Sequence, residues 1–485
     1  MRTLTTPALA LAMAALLGCS PALKKDLAHP APASVAVAET TTSAAPVAAA
    51  DLVAMEVAPA NRYVKAAEPG EMLVRIRLGA RALKDAPRPP INLALVVDTS
   101  GSMANDGIED ARRASLALLD ALSPGDSLAV VAFHSRAEVL APSTRLDERS
   151  IETVRARIGK MAAHGTTDMA AGLQAGLDEV MRGFRPDGIN RIVLVGDGVP
   201  NNEAPILPLA QSAGRSAVPV TVLGLGLDYN ETLMNAVAQH SGGKFHFLRE
   251  SSEVASVFKD EVLRLKRVVG RSAALRLAPG PGVLIKGVLG LPAQAVGTET
   301  HVTLGDLSEG DQRDVIVRVS TGAHRPGSMV ELLDAVLSFD GSAAGAGRLE
   351  ERGFVAVKAT AEPSELVLGK DPDVELSAAR MTVADRIVQA IATARAGQIP
   401  QAQAMLDQVE KEAKRAAKQF DDAELRDKAK SIPALRESLP SLAKQPEPTA
   451  QVHPGRPAMK PAAAAEAAEV VMASQASAVR TIQGL

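Results

Sequence analysis

The chain has 485 residues, of which 46% are hydrophobic and 22% are charged, the balance of a globular protein long enough for several domains. Its 53 Lys and Arg against 56 Asp and Glu give a formal charge of −3, which argues against nucleic acid as a partner. Cysteine occurs once, at Cys19, which excludes a disulfide framework, a cysteine zinc site and a CxxC redox motif.

The first 18 residues have the form of a secretory signal peptide, in which Arg2 precedes an apolar run too short to span a bilayer. The run ends at Leu16-Leu17-Gly18-Cys19, which resembles the lipobox of bacterial lipoproteins. That resemblance implies cleavage before Cys19 and a lipid anchor on this residue in the bacterial cell envelope. The alternative is an ordinary secretory signal that contains a cysteine. In some bacteria an Asp directly after the lipidated cysteine retains a lipoprotein in the inner membrane. Because Ser20 occupies this position, the outer membrane is expected rather than the inner one, with the protein facing the periplasm or the surface.

The next segments differ in composition and period. Residues 19–53 are rich in Ala, Pro, Thr and Ser, which predicts a flexible tether. Alternation at period two begins near Glu71, and residues 54–88 are predicted to be N-terminal strands of a β-sandwich. Continuous apolar strands then alternate with helical patterns over residues 89–266, which predicts a doubly wound parallel sheet.

The second half of the chain changes pattern twice. Short strand-like segments over residues 267–362 predict an antiparallel β-sandwich, with the parallel-sheet domain inserted in it or followed by it. Residues 363–444 are predicted to be helical, and residues 445–485 to be a Pro- and Ala-rich low-complexity tail. The expected fold class is α/β, with a β-sandwich and a C-terminal helical region.

Three polar segments follow predicted parallel strands or lie in loops on the same side: Asp98-Thr-Ser100-Gly-Ser102, Gly165-Thr166-Thr167-Asp168 and Gly196-Asp197. Loops at the carboxyl ends of parallel strands converge on the crevice where such sheets bind ligands. The converging groups are two carboxylates and three hydroxyls, without His or Cys. These hard oxygen donors favour Mg²⁺, with Mn²⁺ or Ca²⁺ as alternatives, over zinc or copper.

These residues resemble the metal-ion-dependent adhesion site of the von Willebrand factor type A (vWA) family, whose pattern is D-x-S-x-S followed by a threonine and an aspartate. The resemblance covers about residues 89–265 and implies these metal-binding residues: Asp98, Ser100, Ser102, Thr167 and Asp197. Thr166 is the alternative threonine, and Asp197 usually acts through water in this family. Gly196 departs from the family, in which a Thr or Ser often precedes the aspartate. Together with the lipobox, the chain resembles bacterial lipoproteins that carry a vWA domain.

The expected function is non-enzymatic. A membrane-tethered protein would use its metal to bind an acidic residue of a protein partner, in adhesion, scaffolding or assembly of an envelope complex, with specificity set by loops 103–107 and 199–205. The alternative is a metal-dependent hydrolase at the same site, for which Asp168 and His164 are the only candidate bases. In a third interpretation, residues 373–485 carry the working surface.

Overall fold

The computed structural model describes residues 48–82, 88–197, 199–225, 229–248, 253–342, 346–444 and 462–484. The predicted signal peptide, Cys19 and most of the predicted tether lie outside this part of the chain. Within these ranges, no helix is both long enough and apolar enough to cross a membrane.

The first described elements are short: α1 (Ala49–Leu52), β1 (Val53–Pro59), β2 (Tyr63–Lys65) and β3 (Gly70–Ala80). Helix α1 lies inside the predicted tether. It is ordered there because its buried residues Ala49 and Leu52 pack into the hydrophobic core of the sandwich. The folded part of the chain therefore begins before residue 53, the predicted end of the tether.

A six-stranded sheet with helices on both faces follows. Its elements are β4 (Ile91–Asp98), α2 (Asp106–Ala121), β5 (Ser127–Phe133), β6 (Ala137–Arg145), α3 (Glu148–Ile158), α4 (Met169–Arg182), β7 (Ile189–Gly196), α5 (Ile206–Arg215), β8 (Val220–Leu225), α6 (Glu231–Ser241), β9 (Phe245–Leu248) and α7 (Val254–Leu265). The strand order is β6-β5-β4-β7-β8-β9, and all neighbours are parallel except β6, which pairs antiparallel with β5. Every residue of β4 is buried, as expected for a strand covered on both faces. In the edge strand β6 only Ala141 is fully buried, so no apolar run predicts this strand.

The chain then forms most of a sandwich with β10 (Val268–Pro279), β11 (Val283–Val288), β12 (Ala293–Val296), β13 (Glu299–Ser308), β14 (Gln312–Thr321), β15 (Met329–Gly341) and β16 (Arg348–Thr360). One sheet has the order β1-β3-β14-β11 and the other β12-β13-β10-β15-β16-β2. All pairs are antiparallel except β16 with β2. Since β3 and β14 are neighbours, the parallel-sheet domain is inserted in the sandwich, which confirms one of the two predicted arrangements.

The C-terminal region is helical, as predicted. It contains α8 (Pro363–Leu368), α9 (Pro372–Arg395), α10 (Ile399–Phe420), α11 (Ala423–Ser438) and α12 (Ala462–Gln483). The Pro400 near the start of α10 occupies a first-turn position, where its missing N–H leaves no helical hydrogen bond unmade. Helices α9, α10, α11 and α12 share a continuous buried core.

Helix α12 lies within residues 445–485, where the sequence pattern predicts a low-complexity tail. That prediction is wrong for this helix, because its Ala-rich sequence favours a helix and its apolar residues have partners to pack against. Val471 and Ile482 are buried in the core of the helical region, while Met472 and Val479 join the core of the parallel-sheet domain. Residues 445–461 lie outside the described part of the chain.

A buried arginine joins the parallel-sheet domain to the sandwich. The side chain of Arg191 in β7 is 4% exposed, and its Nη2 donates to Oδ2 of Asp306 in β13 at 2.7 Å. Its Nη1 donates to the hydroxyl of Thr221 at 3.2 Å and lies 3.9 Å from the carboxylate of Glu261 in α7. Oδ1 of Asp306 also accepts the N–H of Ser272 at 3.0 Å. These contacts hold β13 of the sandwich, and β8 and α7 of the parallel-sheet domain, around the buried positive charge of Arg191.

We expect Asp306→Ala to lower the free energy of unfolding by about 3 kcal/mol, because Arg191 stays buried with its main carboxylate removed. Urea unfolding followed by circular dichroism measures the change. The matched control is Glu350→Ala, which removes the partner of Arg352 from an exposed pair at 3.0 Å. That change is expected to cost less than about 1 kcal/mol. Equal losses in the two variants would contradict the structural role of the Arg191 contacts.

Candidate metal centre

The parallel pairing of β4 with β7 positions the two predicted carboxylates. Val97 pairs with Val195, so Asp98 and Asp197 leave neighbouring strands at the same edge of the sheet. Asp98 is 0% exposed, whereas Asp197 is partly exposed. Oδ1 of Asp98 accepts the N–H of Ser100 at 2.8 Å, which turns the chain back over the end of its own strand.

The two predicted serines are joined to Asp197 by hydrogen bonds. A 3-10 turn at Gly101–Met103 follows the strand. The hydroxyl oxygens of Ser100 and Ser102 lie 2.9 Å apart, and Ser102 Oγ donates to Oδ1 of Asp197 at 2.8 Å. Asp98, Ser100, Ser102 and Asp197, four of the five predicted residues, are thus connected by direct contacts.

The loop that carries the predicted threonine lies against the first segment. The N–H of His164 donates to the carbonyl of Thr99 at 2.8 Å, and the N–H of Gly101 donates to the carbonyl of Gly165 at 3.1 Å. Thr167 is 7% exposed. Its hydroxyl forms no hydrogen bond with another residue that the structure describes, so it stands outside the chain of contacts between the other four residues.

Thr166, the alternative threonine, is exposed and already bonded. Its hydroxyl donates to Ser135 Oγ at 3.2 Å and accepts from Asn201 Nδ2 at 2.9 Å. The N–H of Asn201 also donates to the carbonyl of Thr167 at 2.9 Å. These contacts favour Thr167 over Thr166 as the fifth oxygen donor, because they hold the Thr166 hydroxyl against two other side chains.

Ser135 and Asn201 are site residues that the sequence pattern did not indicate. Ser135 Oγ also accepts the N–H of Thr166 at 3.0 Å. Ser135 and Asn201 together hold the loop at residues 164–168, called the threonine loop below, in place. Their positions carried a usable signal, since Ser135 follows the end of the parallel strand β5 and Asn201 follows Asp197 in the same loop. Polar residues just beyond parallel strands converge at this edge.

The two candidate bases of a hydrolase are engaged in holding the loop. Oδ1 of Asp168 accepts the N–H of Ala171 at 3.0 Å and caps α4, while its own N–H donates to the carbonyl of His134 at 2.6 Å. Nδ1 of His164 lies 2.9 Å from the carbonyl of Ala162, and its ring centroid lies 3.9 Å from that of His134. No observation at the site favours either group as a general base.

Gly196 lies beside Asp98 at the end of β7. A Cβ at this position would lie 3.3 Å from Oδ2 of Asp98 and 3.5 Å from Cε of Met234. A Thr or Ser here, as in the family pattern, would place its hydroxyl beside the buried carboxylate. The departure at Gly196 thus removes a contact to Asp98 but none of the five predicted ligands.

The donor set fits a small hard cation. Neighbouring ligands on an octahedron with Mg–O bonds near 2.1 Å are about 2.9 Å apart. The successive oxygen–oxygen distances along Ser100, Ser102 and Asp197 are 2.9 and 2.8 Å. In the described part of the chain, the sheet edge at Asp98 included, no group of three or more His, Cys, Asp or Glu could hold a metal ion, so the candidate centre depends on hydroxyl oxygens beside its two carboxylates. The edge of the sheet at Asp98 is therefore the candidate metal centre.

Comparison with known proteins agrees with this fold. The family model of the von Willebrand factor type A domain matches residues 92–260. The chain contains a vWA domain. A solved vWA protein from Catenulispora acidiphila has a TM-score of 0.66 at 20% identity, over 79% of this chain and 89% of that one. The ArnB paralog VWA2 from Sulfolobus acidocaldarius has a TM-score of 0.55 at 16% identity, over 81% and 97%. Both likenesses show the fold.

Relatives by sequence match a part of this chain. An uncharacterized protein of Synechocystis sp. is 29% identical over 271 residues, which are 53% of this chain and 63% of that protein. Inter-alpha-trypsin inhibitor heavy chain H4 of Homo sapiens is 32% identical over 183 residues, which are 35% of this chain and 20% of that protein. The match covers less than two thirds of either relative's length.

Gly165 is required by the shape of the threonine loop, and its replacement is a test of that shape. Its φ is +75°, and a Cβ would lie 2.5 Å from Ser135 Oγ. We expect Gly165→Ala to lower the free energy of unfolding by more than Gly282→Ala, the matched control. Gly282 has a φ of +74° with nothing within 4 Å of a Cβ, so its replacement costs only the backbone strain of about 1–2 kcal/mol.

Chemical denaturation of the two variants measures the difference between their free energies of unfolding. This difference reports how strongly the added Cβ at position 165 crowds Ser135. Equal losses of stability would mean that the threonine loop can move away from β5, contrary to the contacts described here.

Proposed function

We propose that the vWA domain binds a divalent cation, Mg²⁺ in preference to Mn²⁺ or Ca²⁺, and that the cation captures an acidic residue of a protein partner. The proposed ligands are Asp98, Ser100, Ser102, Thr167 and Asp197. The observation that carries the proposal is the unbroken set of contacts from Asp98 through the two serines to Asp197. The vWA family is one of protein-interaction and adhesion modules, which supports a binding function.

Each residue has a distinct task in this proposal. Asp98, buried at the end of the central strand, supplies a negative charge that solvent does not screen. Ser100 and Ser102 add neutral oxygens, and Asp197 orients the Ser102 hydroxyl by accepting its hydrogen bond. A bound cation supplies a Lewis-acidic centre to which a carboxylate can coordinate in place of water. With only two protein carboxylates, such an ion keeps affinity for a third.

The loops around the centre supply the surface for the partner. Val199 is 38% exposed beside Asp197, and Asn201 ties this loop to the threonine loop. On the other side, the exposed Asn105 has a φ of +67° just before α2. We propose that these two loops, 199–205 and 103–107, set specificity for the surroundings of the partner's acidic residue.

Titration of Mg²⁺ into the purified full-length chain by calorimetry tests the metal site. We expect saturable binding by the natural chain and at least about tenfold weaker binding by Asp98→Ala, which removes the buried charge. The control is Asp106→Asn, which removes an exposed carboxylate from the start of α2. Equal affinity in Asp98→Ala and the natural chain would overturn the metal site.

The same titration decides between the two threonines. Thr167→Val is expected to weaken Mg²⁺ binding, and Thr166→Val to leave it unchanged, because the Thr166 hydroxyl is held by Ser135 and Asn201. The reverse result would assign the ligand role to Thr166.

Crosslinking in intact cells tests the partner. We expect a protein adduct with the natural chain and with Asp260→Asn, a control that removes an exposed carboxylate of α7, and its loss with Asp98→Ala or on chelation of divalent ions. An adduct that persists in Asp98→Ala but needs residues 373–485 would contradict metal-dependent binding and support a working surface on the helical region.

We further propose that Cys19 carries a lipid anchor that tethers the protein to the bacterial cell envelope, on the outer membrane, facing the periplasm or the surface. The Leu16–Cys19 pattern supports this anchor. More than one acyl chain on Cys19 would satisfy the requirement of stable anchoring.

Fractionation of cells tests the anchor. We expect the natural chain with the outer membrane, Cys19→Ser in the soluble fraction or uncleaved, and Ser20→Asp with the inner membrane. A processed Cys19→Ser chain that stays with the outer membrane would show that another contact holds the protein there.

A further inference from the structure

A cavity of about 290 Å³ lies beside the candidate metal centre, on the side of β5 and β6. Its polar lining residues are Thr99, His134, Glu138, Arg157, Lys160 and His164. None of them is a proposed metal ligand. Thr99 stands between Asp98 and Ser100 in the chain, so the cavity and the metal centre share the turn that ends β4.

His134 is a buried polar group whose ring lacks a protein partner. It is 6% exposed, and neither ring nitrogen forms a hydrogen bond with a residue that the structure describes. Its ring centroid lies 3.9 Å from that of His164. Buried polar atoms in native proteins are nearly always bonded, to water or an ion where the protein offers no partner. The ring nitrogens of His134 therefore need a partner outside the described residues, which the cavity can hold as a water molecule or as a ligand.

The charged side chains that line the cavity favour a ligand of opposite charge. Arg157 and Lys160 are cations and Glu138 is the one carboxylate among the lining residues. Arg157 Nη1 donates to the carbonyl of Leu140 at 2.7 Å, and the exposed Lys160 ammonium has no ion pair with another described residue. The two histidines do not belong to any group of three His, Cys, Asp or Glu able to hold a metal ion among the described residues. An anion suits this lining better than a cation does.

Burial lowers the pKa of His134, and the neighbouring charges of His164 and Arg136 lower it further. A neutral imidazole has one N–H to donate, so His134 can offer a hydrogen bond without the cost of a buried charge. A protonated His134 would instead add a third positive charge to those of Arg157 and Lys160.

We propose that this cavity binds a small oxyanion, a carboxylate or a phosphate group, through Lys160, Arg157 and the N–H of His134. The site is separate from the metal centre and requires no metal ion. Charged donors give such contacts most of their strength. The rings of His134 and His164, tilted by 45° to one another, line the wall of the cavity. The metal centre and this cavity would then both select acidic groups at the same edge of the vWA domain.

NMR of the full-length chain with ¹⁵N-labelled histidine tests the proposal, after a chelating resin has removed divalent ions so that none contributes. The probes are inorganic phosphate and, separately, acetate. We expect saturable shifts of the His134 ring resonances with at least one probe, and about tenfold weaker binding by Lys160→Gln. The matched control, Lys259→Gln, removes an exposed lysine of α7 and is expected to bind as the natural chain does.

The two probes separate the sources of the anion, since saturation by phosphate alone indicates a phosphate group and saturation by acetate indicates a carboxylate. Absence of saturable shifts with both probes would overturn the site. Shifts of equal affinity in the natural chain and Lys160→Gln would also overturn it, because binding would then lie elsewhere. Since divalent ions have been removed beforehand, these results are independent of the metal centre.

Discussion

The parallel pairing of β4 with β7 is the constraint on which the candidate centre depends. These strands are the middle pair of the six-stranded sheet, and Val97 faces Val195 across it. The pairing brings together two carboxylates that are far apart in the sequence, Asp98 and Asp197. A buried carboxylate is costly unless hydrogen bonds or opposite charge compensate it. The N–H of Ser100 supplies part of that compensation.

Two ion pairs and a packing contact join the vWA domain to the rest of the chain. Arg191 joins β7 to the sandwich, and the buried Glu231 at the start of α6 forms an ion pair with Arg395 of α9. Burial raises the pKa of Glu231, while Arg395 lowers it. Met472 of α12 packs into the core of the same domain. The sandwich and the helical region thus brace the domain, while the loops at the end of β4 remain accessible.

The sequence predicts those elements whose signal is local. β5 was predictable to the residue because Ser127–Phe133 is a continuous buried run. β6 was not, because an edge strand with one buried residue has no apolar period. α12 was missed because an Ala-rich stretch has the same composition in a disordered tail and in a helix. Only its packing, with Val471 and Val479 buried against distant residues, distinguishes the two.

The residues of the candidate site were likewise predictable only in part. The pattern at Asp98 and the position of Asp197 after a strand were enough to place both, since the fold carries each to the sheet edge. Spacing could not separate Thr166 from Thr167, because they are adjacent. What separates them is contact with Asn201, a residue of another loop whose position depends on the folded chain.

The scarcity of aromatic residues gives the proposed metal its physical role. Only 2% of the chain is aromatic, and Tyr229 is fully buried, so the usual anchors of a protein interface are scarce. Val199 is the exposed large hydrophobic residue in the loop after Asp197. An exposed ion pair between side chains contributes about 1 kcal/mol or less, which is too little to hold a partner. A divalent ion concentrates two charges at one point and can coordinate a carboxylate directly, so it gives an aromatic-poor surface a strong and directional contact.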